Sequence, residues 1–266
     1  MRRFAAGEPV RRDDCVRGLD VSSHQNKIDW KQAKSLGYEF VFVKATQATR
    51  AKDVDFRNFV DSARKQGLLV GAYHYAVPDG DPGDAVLEAQ SFAKEIVKEK
   101  FELPPVLDIE EIGLKGQKLL DWIRDFTREI EASTGQFCMT YTSPAFHSMV
   151  AVARWSDGMS DRPLWVAHWD QAPSDPKVWV PGSKHGMKAP SMPKGYKSWD
   201  FWQFDAAKMP FADTLIDRNF FNGTIDDLHK FCDYFQHPLY ATSENPCPWS
   251  PAVSWRDVLD SIWKAP

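Results

Sequence analysis

The sequence predicts an α/β fold: a single-domain, irregular (β/α) barrel of the TIM-like kind. About eight short strand-like runs alternate with helical patterns over roughly 220 residues, the rhythm of strands crossing over to parallel neighbours. Several of these runs are apolar without a break, as strands buried on both faces of a parallel sheet are. Most of them end in a polar or aromatic residue, and a barrel gathers such ends at one mouth. An open doubly wound sheet is the competing architecture. No Gly-x-Gly-x-x-Gly follows the first strand, which disfavours its dinucleotide-binding form.

Each element has its own warrant. Residues 1–16 are polar and charged and read as a tail. Strands are expected at Gly18–Ser22, Glu39–Thr46, Leu68–Tyr75, Pro105–Ile109, Phe137–Thr142, Pro163–His168 and Trp199–Phe204, with a last short one near Leu215–Asp217. Phe56, Phe59, Val60 and Ala63 mark one helical face at i, i+3, i+4 and i+7. A second helix runs from Ala85 to Val97, begun near Asp84. A third carries Leu119, Ile123, Phe126 and Ile130, and Thr134-Gly135 ends it, since glycine accepts the left-handed conformation of a helix C-terminus. Asp227 to Phe235 is also helical in pattern. The barrel domain is expected over 17–233, with 234–266 as an extension packed on it.

Composition narrows the function. A chain of 266 residues, 43% hydrophobic, can bury one large core. A net charge of -4 argues against a nucleic-acid partner. No run of 18 apolar residues exists, so no membrane-spanning helix is expected. Met1–Glu8 holds two arginines but no apolar stretch behind them, so no secretory signal is read and synthesis in the cytoplasm is expected. The cysteines show no metal-ligand spacing, and no two histidines share a helix at ligand spacing. Neither metal nor cofactor is expected.

The run Leu103-Pro104-Pro105-Val106-Leu107-Asp108-Ile109-Glu110-Glu111 carries the chemistry. Along a strand, Asp108 and Glu110 share a face about 6.6 Å apart, and Ile109 points the other way. Two carboxylates so placed cannot both ionise freely, so a pKa should rise. One acid can then donate a proton while a neighbour stays anionic, the arrangement that paired acid chemistry needs. Glu110, at the strand's end, is the expected protonated acid. Other strand ends add Asp20, Lys44, Thr46, Tyr73, His74, Tyr75, Tyr141, His168, Trp169, Gln203 and Asp217 to the same mouth. His74 faces away from its flanking tyrosines and reads as a satisfied buried histidine. Glu111 points away from Glu110 and reads as structural.

In sequence order, Gly18-Leu19-Asp20-Val21-Ser22 with Gln25, Asp29-Trp30, Gly71-Ala72-Tyr73-His74-Tyr75, Leu107-Asp108-Ile109-Glu110, Thr140-Tyr141-Thr142, Trp202-Gln203 and Ile216-Asp217-Arg218-Asn219 resemble glycoside hydrolase family 25. These are the Chalaropsis-type lysozymes, or N-acetylmuramidases. The resemblance runs from about Arg17 to Gly223. It implies a modified β/α barrel, peptidoglycan glycan strands as partner, and cleavage of the β-1,4 bond between N-acetylmuramic acid and N-acetylglucosamine. It implies Glu110 as general acid and Asp108 as the neighbour that orients the substrate's 2-acetamido group, with Asp20 and Asp217 as further acids of the site. Tyr73, Tyr141, Gln203, Trp202 and Trp169 are the expected substrate contacts. A muramidase without a signal peptide suits a phage endolysin released to the cell wall.

The chain departs from the compact family form at 177–198, a stretch with five lysines and no acid, which reads either as a solvated loop or as a basic lip for anionic envelope polymers. A non-catalytic sugar-binding barrel is the competing function, and the matched acids argue against it. A chitinase-like barrel lacks its longer acidic run here, since Glu102, Pro104 and Val106 do not supply it.

Overall fold

The computed structural model describes residues 9–10, 15–154, 159–160, 162–169 and 187–236. Eight strands close into a barrel in chain order: β1 (Val16–Val21), β2 (Tyr38–Gln47), β3 (Leu69–Tyr75), β4 (Val106–Asp108), β5 (Met139–Thr142), β6 (Leu164–Ala167), β7 (Phe201–Lys208) and β8 (Leu215–Phe221). Pairs from β1–β2 through β6–β7 are parallel, whereas β7–β8 and β8–β1 are antiparallel. The reversal follows from chain length. Residues 209–214 are too few for a crossover, which needs about a dozen or more, so β8 turns straight back along β7.

Helices α1 (Trp30–Ser35), α2 (Phe56–Lys65), α3 (Asp84–Ile96), α4 (Gly116–Thr134) and α5 (Pro144–Met149) link successive parallel strands, and α6 (Ile225–Gln236) follows β8. The expected face of α2 is buried, as are Leu119, Ile123, Phe126 and Ile130 of α4. Gly135 ends α4 at φ +69°, a conformation that favours glycine. Helices α1 and α5, too short to show periodicity, went unexpected. Each starts at a side-chain cap: Asp29 Oδ1 accepts from Gln32 N at 2.9 Å and Ser143 Oγ from Phe146 N at 3.1 Å.

Two apolar layers result. One lies between strands and helices. The other fills the barrel itself, in a column of aromatic rings. Phe231 and Phe235 of α6 plug the bottom with Phe137 and Phe221. Above them Phe40 packs on Phe201 at 5.2 Å, and Phe42 stacks on Trp165 at 4.6 Å. Gly18 makes room for this column: a Cβ there would lie 2.2 Å from the Phe40 ring.

Two expectations need correction. The last strand is longer than its first three residues, because Arg218 and Asn219 are buried with partners. Arg218 Nε donates to Asp205 Oδ1 at 2.7 Å on the outer face, and Trp165 Nε1 donates to Asn219 Oδ1 at 2.8 Å inside. The boundary at residue 233 falls within α6, whose Leu228, Phe231, Cys232 and Phe235 belong to the inner core. Residues 1–8 and 237–266 lie outside the described residues.

Candidate active site

The column of rings is the floor of the site. Strand alternation fixes which residues rise above it. On β7, Phe201 and Gln203 point inward, so Trp202 must point outward. On β2, Phe40 and Phe42 are inward, and Lys44 continues that line to the mouth. Tyr73 of β3 and Tyr141 of β5 pack edge-on against Trp165, with ring centroids 6.1 and 4.6 Å away. Asp20 of β1 and Asp217 of β8 are register partners on adjacent strands.

Gln203 and Asn219 hold Asp20 in place. Gln203 Nε2 donates to Asp20 Oδ2 at 3.0 Å and Oδ1 at 3.2 Å, and Asn219 Nδ2 donates to Oδ2 at 2.7 Å. Tyr141 OH and Trp169 Nε1 each donate to Gln203 Oε1 at 2.9 Å. An indole N–H can only donate. The Trp169 contact therefore turns the Gln203 oxygen toward itself and the amide NH2 toward Asp20. Trp165 orients Asn219 in the same way. Two aimed NH2 groups thus meet one carboxylate, which is the form they favour.

Electrostatics divide the acids. Burial and the Glu110 charge raise the Asp20 pKa, its two amide partners oppose the rise, and the result is about 6. Among the described residues Asp217 has no such donors, and burial with the charges of Asp20, Asp205 and Glu110 pushes it up to about 8. Asp108 is buried, and its pKa stands well above the usual carboxylate range, raised first by burial, then by Glu110 and Asp20, against Lys44. Asp108 Oδ1 has no hydrogen-bond partner among the described residues. Glu110 sits just beyond the end of β4 with an exposed side chain. Protein packed behind its carboxyl raises its pKa, Glu111 raises it further, and Lys44 lowers it. At neutral pH the mouth therefore holds a protonated Asp217 beside an ionised Asp20, with Asp108 and Glu110 both shifted toward their protonated forms.

Most expected residues meet here: Asp20, Tyr73, Asp108, Glu110, Tyr141, Trp169, Gln203 and Asp217. Trp202 does not. It is fully buried on the outer face, packed against Trp199 and Phe204, with Nε1 donating to His168 O at 2.9 Å. The alternation that aims Gln203 inward excludes it. His74 is buried as expected, with Nδ1 2.8 Å from Thr46 Oγ1 and Nε2 2.7 Å from Glu88 Oε2. Glu111 has more than a structural part. It accepts from Tyr75 OH at 3.1 Å, and its charge acts on Glu110. The strand stops at Asp108, so strict alternation does not reach Glu111.

Sequence reasoning undervalued Lys44 and Asn219. The Lys44 ammonium donates to Gln47 Oε1 at 2.7 Å, lies 4.7 Å from the centroid of the Tyr75 ring, and feels Asp108, Asp53 and Glu110. Its place two residues above Phe42 on the same strand was the available signal. Among the described residues no group of three or more His, Cys, Asp or Glu is arranged to hold a metal ion.

Known proteins are similar to this chain in sequence and fold. Residues 19–211 match the model of the family described as Glycosyl hydrolases family 25. Lysozyme M1 of Streptomyces globisporus is 33% identical over 220 residues, spanning 79% of this chain and 68% of that protein. N,O-diacetylmuramidase of Chalaropsis sp is 27% identical over 228 residues, covering 81% and 98%. The crystal structure of the bacterial lysozyme from Streptomyces coelicolor superposes with a TM-score of 0.66 at 29% identity, covering 83% of this chain and 98% of that one.

Proposed function

The chain belongs to glycosyl hydrolase family 25, and from that premise we propose how its mouth breaks the β-1,4 bond between N-acetylmuramic acid and N-acetylglucosamine. The protein is a glycoside hydrolase of the lysozyme type, and peptidoglycan is its substrate. Glu110 gives its proton to the glycosidic oxygen as the bond to the anomeric carbon breaks. Asp108 receives the 2-acetamido N–H of the muramic acid residue and turns the acetamido oxygen toward that carbon. Asp20, ionised, faces the positive charge that develops in the oxocarbenium-like transition state. Glu110 then takes a proton from the water that completes hydrolysis, as microscopic reversibility requires.

One observation carries this reading: two neighbouring carboxyls on one strand end are both raised, and the deeper one has an oxygen without a partner among the described residues. That oxygen suits an amide donor on the substrate. A non-catalytic sugar-binding barrel would gain nothing from holding such acids together, since burying them costs stability. Tyr73, Tyr141, Gln203 and half-exposed Trp169 line the sugar path, with Trp169 as the ring platform. Glu110→Gln should lower kcat by about 10²–10⁴-fold, with binding to insoluble peptidoglycan retained. Turnover within threefold of wild type would overturn the role of Glu110.

The lysine-rich stretch 177–198 supports a second contact, with anionic polymers of the envelope. Lys194 and Lys197 are exposed, and residues 177–186 lie outside the described residues. Catalysis is assigned to the barrel from residue 17 through α6, whose Phe231 and Phe235 close the inner core. Among the described residues no helix is long and apolar enough to cross a membrane.

A further inference from the structure

Trp169 sits at the rim with 51% of its surface exposed, yet its indole nitrogen is committed inward, 2.9 Å from Gln203 Oε1. A sugar platform needs only its face. An N–H spent on a buried amide does something else. Gln203 lies between the rim and Asp20: its oxygen receives Trp169 and Tyr141, and its NH2 group reaches both oxygens of the Asp20 carboxyl. We propose that Trp169 is a positioning residue whose indole N–H locks the Gln203 amide, so that the ring that stacks on sugar also keeps Asp20 a carboxylate. The inference rests on the reading of Asp20 as the anion of the reaction.

Donor polarity sets the sense of the Gln203 amide. If the Gln203 amide turned over, its NH2 would face two donors and its oxygen would face a carboxylate, so both contacts would turn repulsive. Tyr141 alone does not prevent this, because a hydroxyl can accept as well as donate. The indole cannot, and it alone of the two rim donors fixes the sense of the amide. Asp20 needs that help. It is faced by Asp217 from β8, Asp108 from β4, Glu110 beyond β4, Tyr73 from β3 and Tyr141 from β5, and each registers its charge or disfavours its own ionisation there. The charge of Lys44 falls on Asp108, Asp53 and Glu110. Its amide partners are therefore what hold Asp20 near 6 against burial.

The test follows the Asp20 carboxyl by ¹³C NMR titration of protein labelled at aspartate, with Asp20→Asn identifying its resonance. Wild type, Trp169→Phe, Gln203→Leu and the double variant are compared, alongside the pH profile of kcat/KM on peptidoglycan. Trp169→Phe keeps a ring and loses the N–H. It should move the Asp20 midpoint and the acidic limb of the profile upward by roughly 0.5–1 pH unit. Gln203→Leu should move both at least as far, and Trp169→Phe should add nothing in that background. An unmoved midpoint in Trp169→Phe, or an equal further shift when it is added to Gln203→Leu, would overturn the proposal and leave Trp169 a platform only. If the midpoint moves while wild type releases no sugar ends at any pH, the lock stands and the reading of the reaction falls.

Discussion

Asp20 and Asp217 stand directly opposite one another across the antiparallel β1–β8 pair, and their side chains share one face. Opposed like charges on neighbouring strands are destabilising. The pair is relieved by asymmetry: Asn219 and Gln203 donate to Asp20, so Asp20 ionises first, near 6, and Asp217 keeps its proton to about 8. The antiparallel β8, the irregular feature of this barrel, is what brings the two acids into register.

Asp217 should make stability depend on pH. Its folded pKa lies above the ordinary value of 3.8, so the fold favours the protonated form. Stability is full below about pH 4, falls as pH rises toward 8, and then levels off. Asp217→Asn removes the titration. Urea unfolding should show the variant more stable than wild type by roughly 1–3 kcal/mol at pH 8.5 and little different at pH 4. Equal differences at both pH values would mean that Asp217 is not held protonated.

Lys44 should set the alkaline edge of activity. Its charge favours the ionised forms of Asp108 and Glu110. Lys44→Met keeps the length and removes the cation, so both acids hold their protons longer. The alkaline limb of kcat/KM should move upward by roughly 0.5–1 pH unit. A downward shift would contradict the placement of the ammonium beside these acids.

The ring column should be intolerant of a methyl group at Gly18. A Cβ there meets the fully buried Phe40 ring, which Phe201 and Phe42 hold in place. Gly18→Ala should cost about 1–3 kcal/mol in chemical denaturation and loosen the site floor. A cost below about 0.5 kcal/mol would show that the column can shift.

The basic stretch should act on whole envelopes only. Replacing Lys177, Lys184, Lys188, Lys194 and Lys197 with glutamine should weaken envelope binding at low salt and leave cleavage of short fragments unchanged. The difference should vanish at about 1 M salt, where screening shortens the reach of charge to about 3 Å. Envelope binding equal to wild type at low salt would remove the proposed contact.

Much of this was legible in the sequence because it rests on local periodicity. The parallel strands show as apolar runs, and α2 and α4 as helical stripes, since both bury one whole face or two. The acids at strand ends were legible for the same reason. Trp202 was misplaced where a residue's type outweighed its parity: Gln203 inward requires Trp202 outward. The full length of β8 was hidden because Arg218 and Asn219 satisfy their polarity with Asp205, Trp165 and Asp20, partners distant in sequence. Nor could any local pattern rank the acids. Asp108, rather than Glu110, is the more buried of the pair, and that depends on β3 and β5 closing around β4.

The proposed reaction cleaves on the muramic acid side, with Glu110 as the acid. Wild type and Glu110→Gln are incubated with insoluble peptidoglycan, and the freed ends are reduced with borohydride and identified by mass spectrometry. Reduced N-acetylmuramic acid ends are expected from wild type and essentially none from the variant. Reduced N-acetylglucosamine ends, or equal release by both proteins, would contradict the proposed reaction.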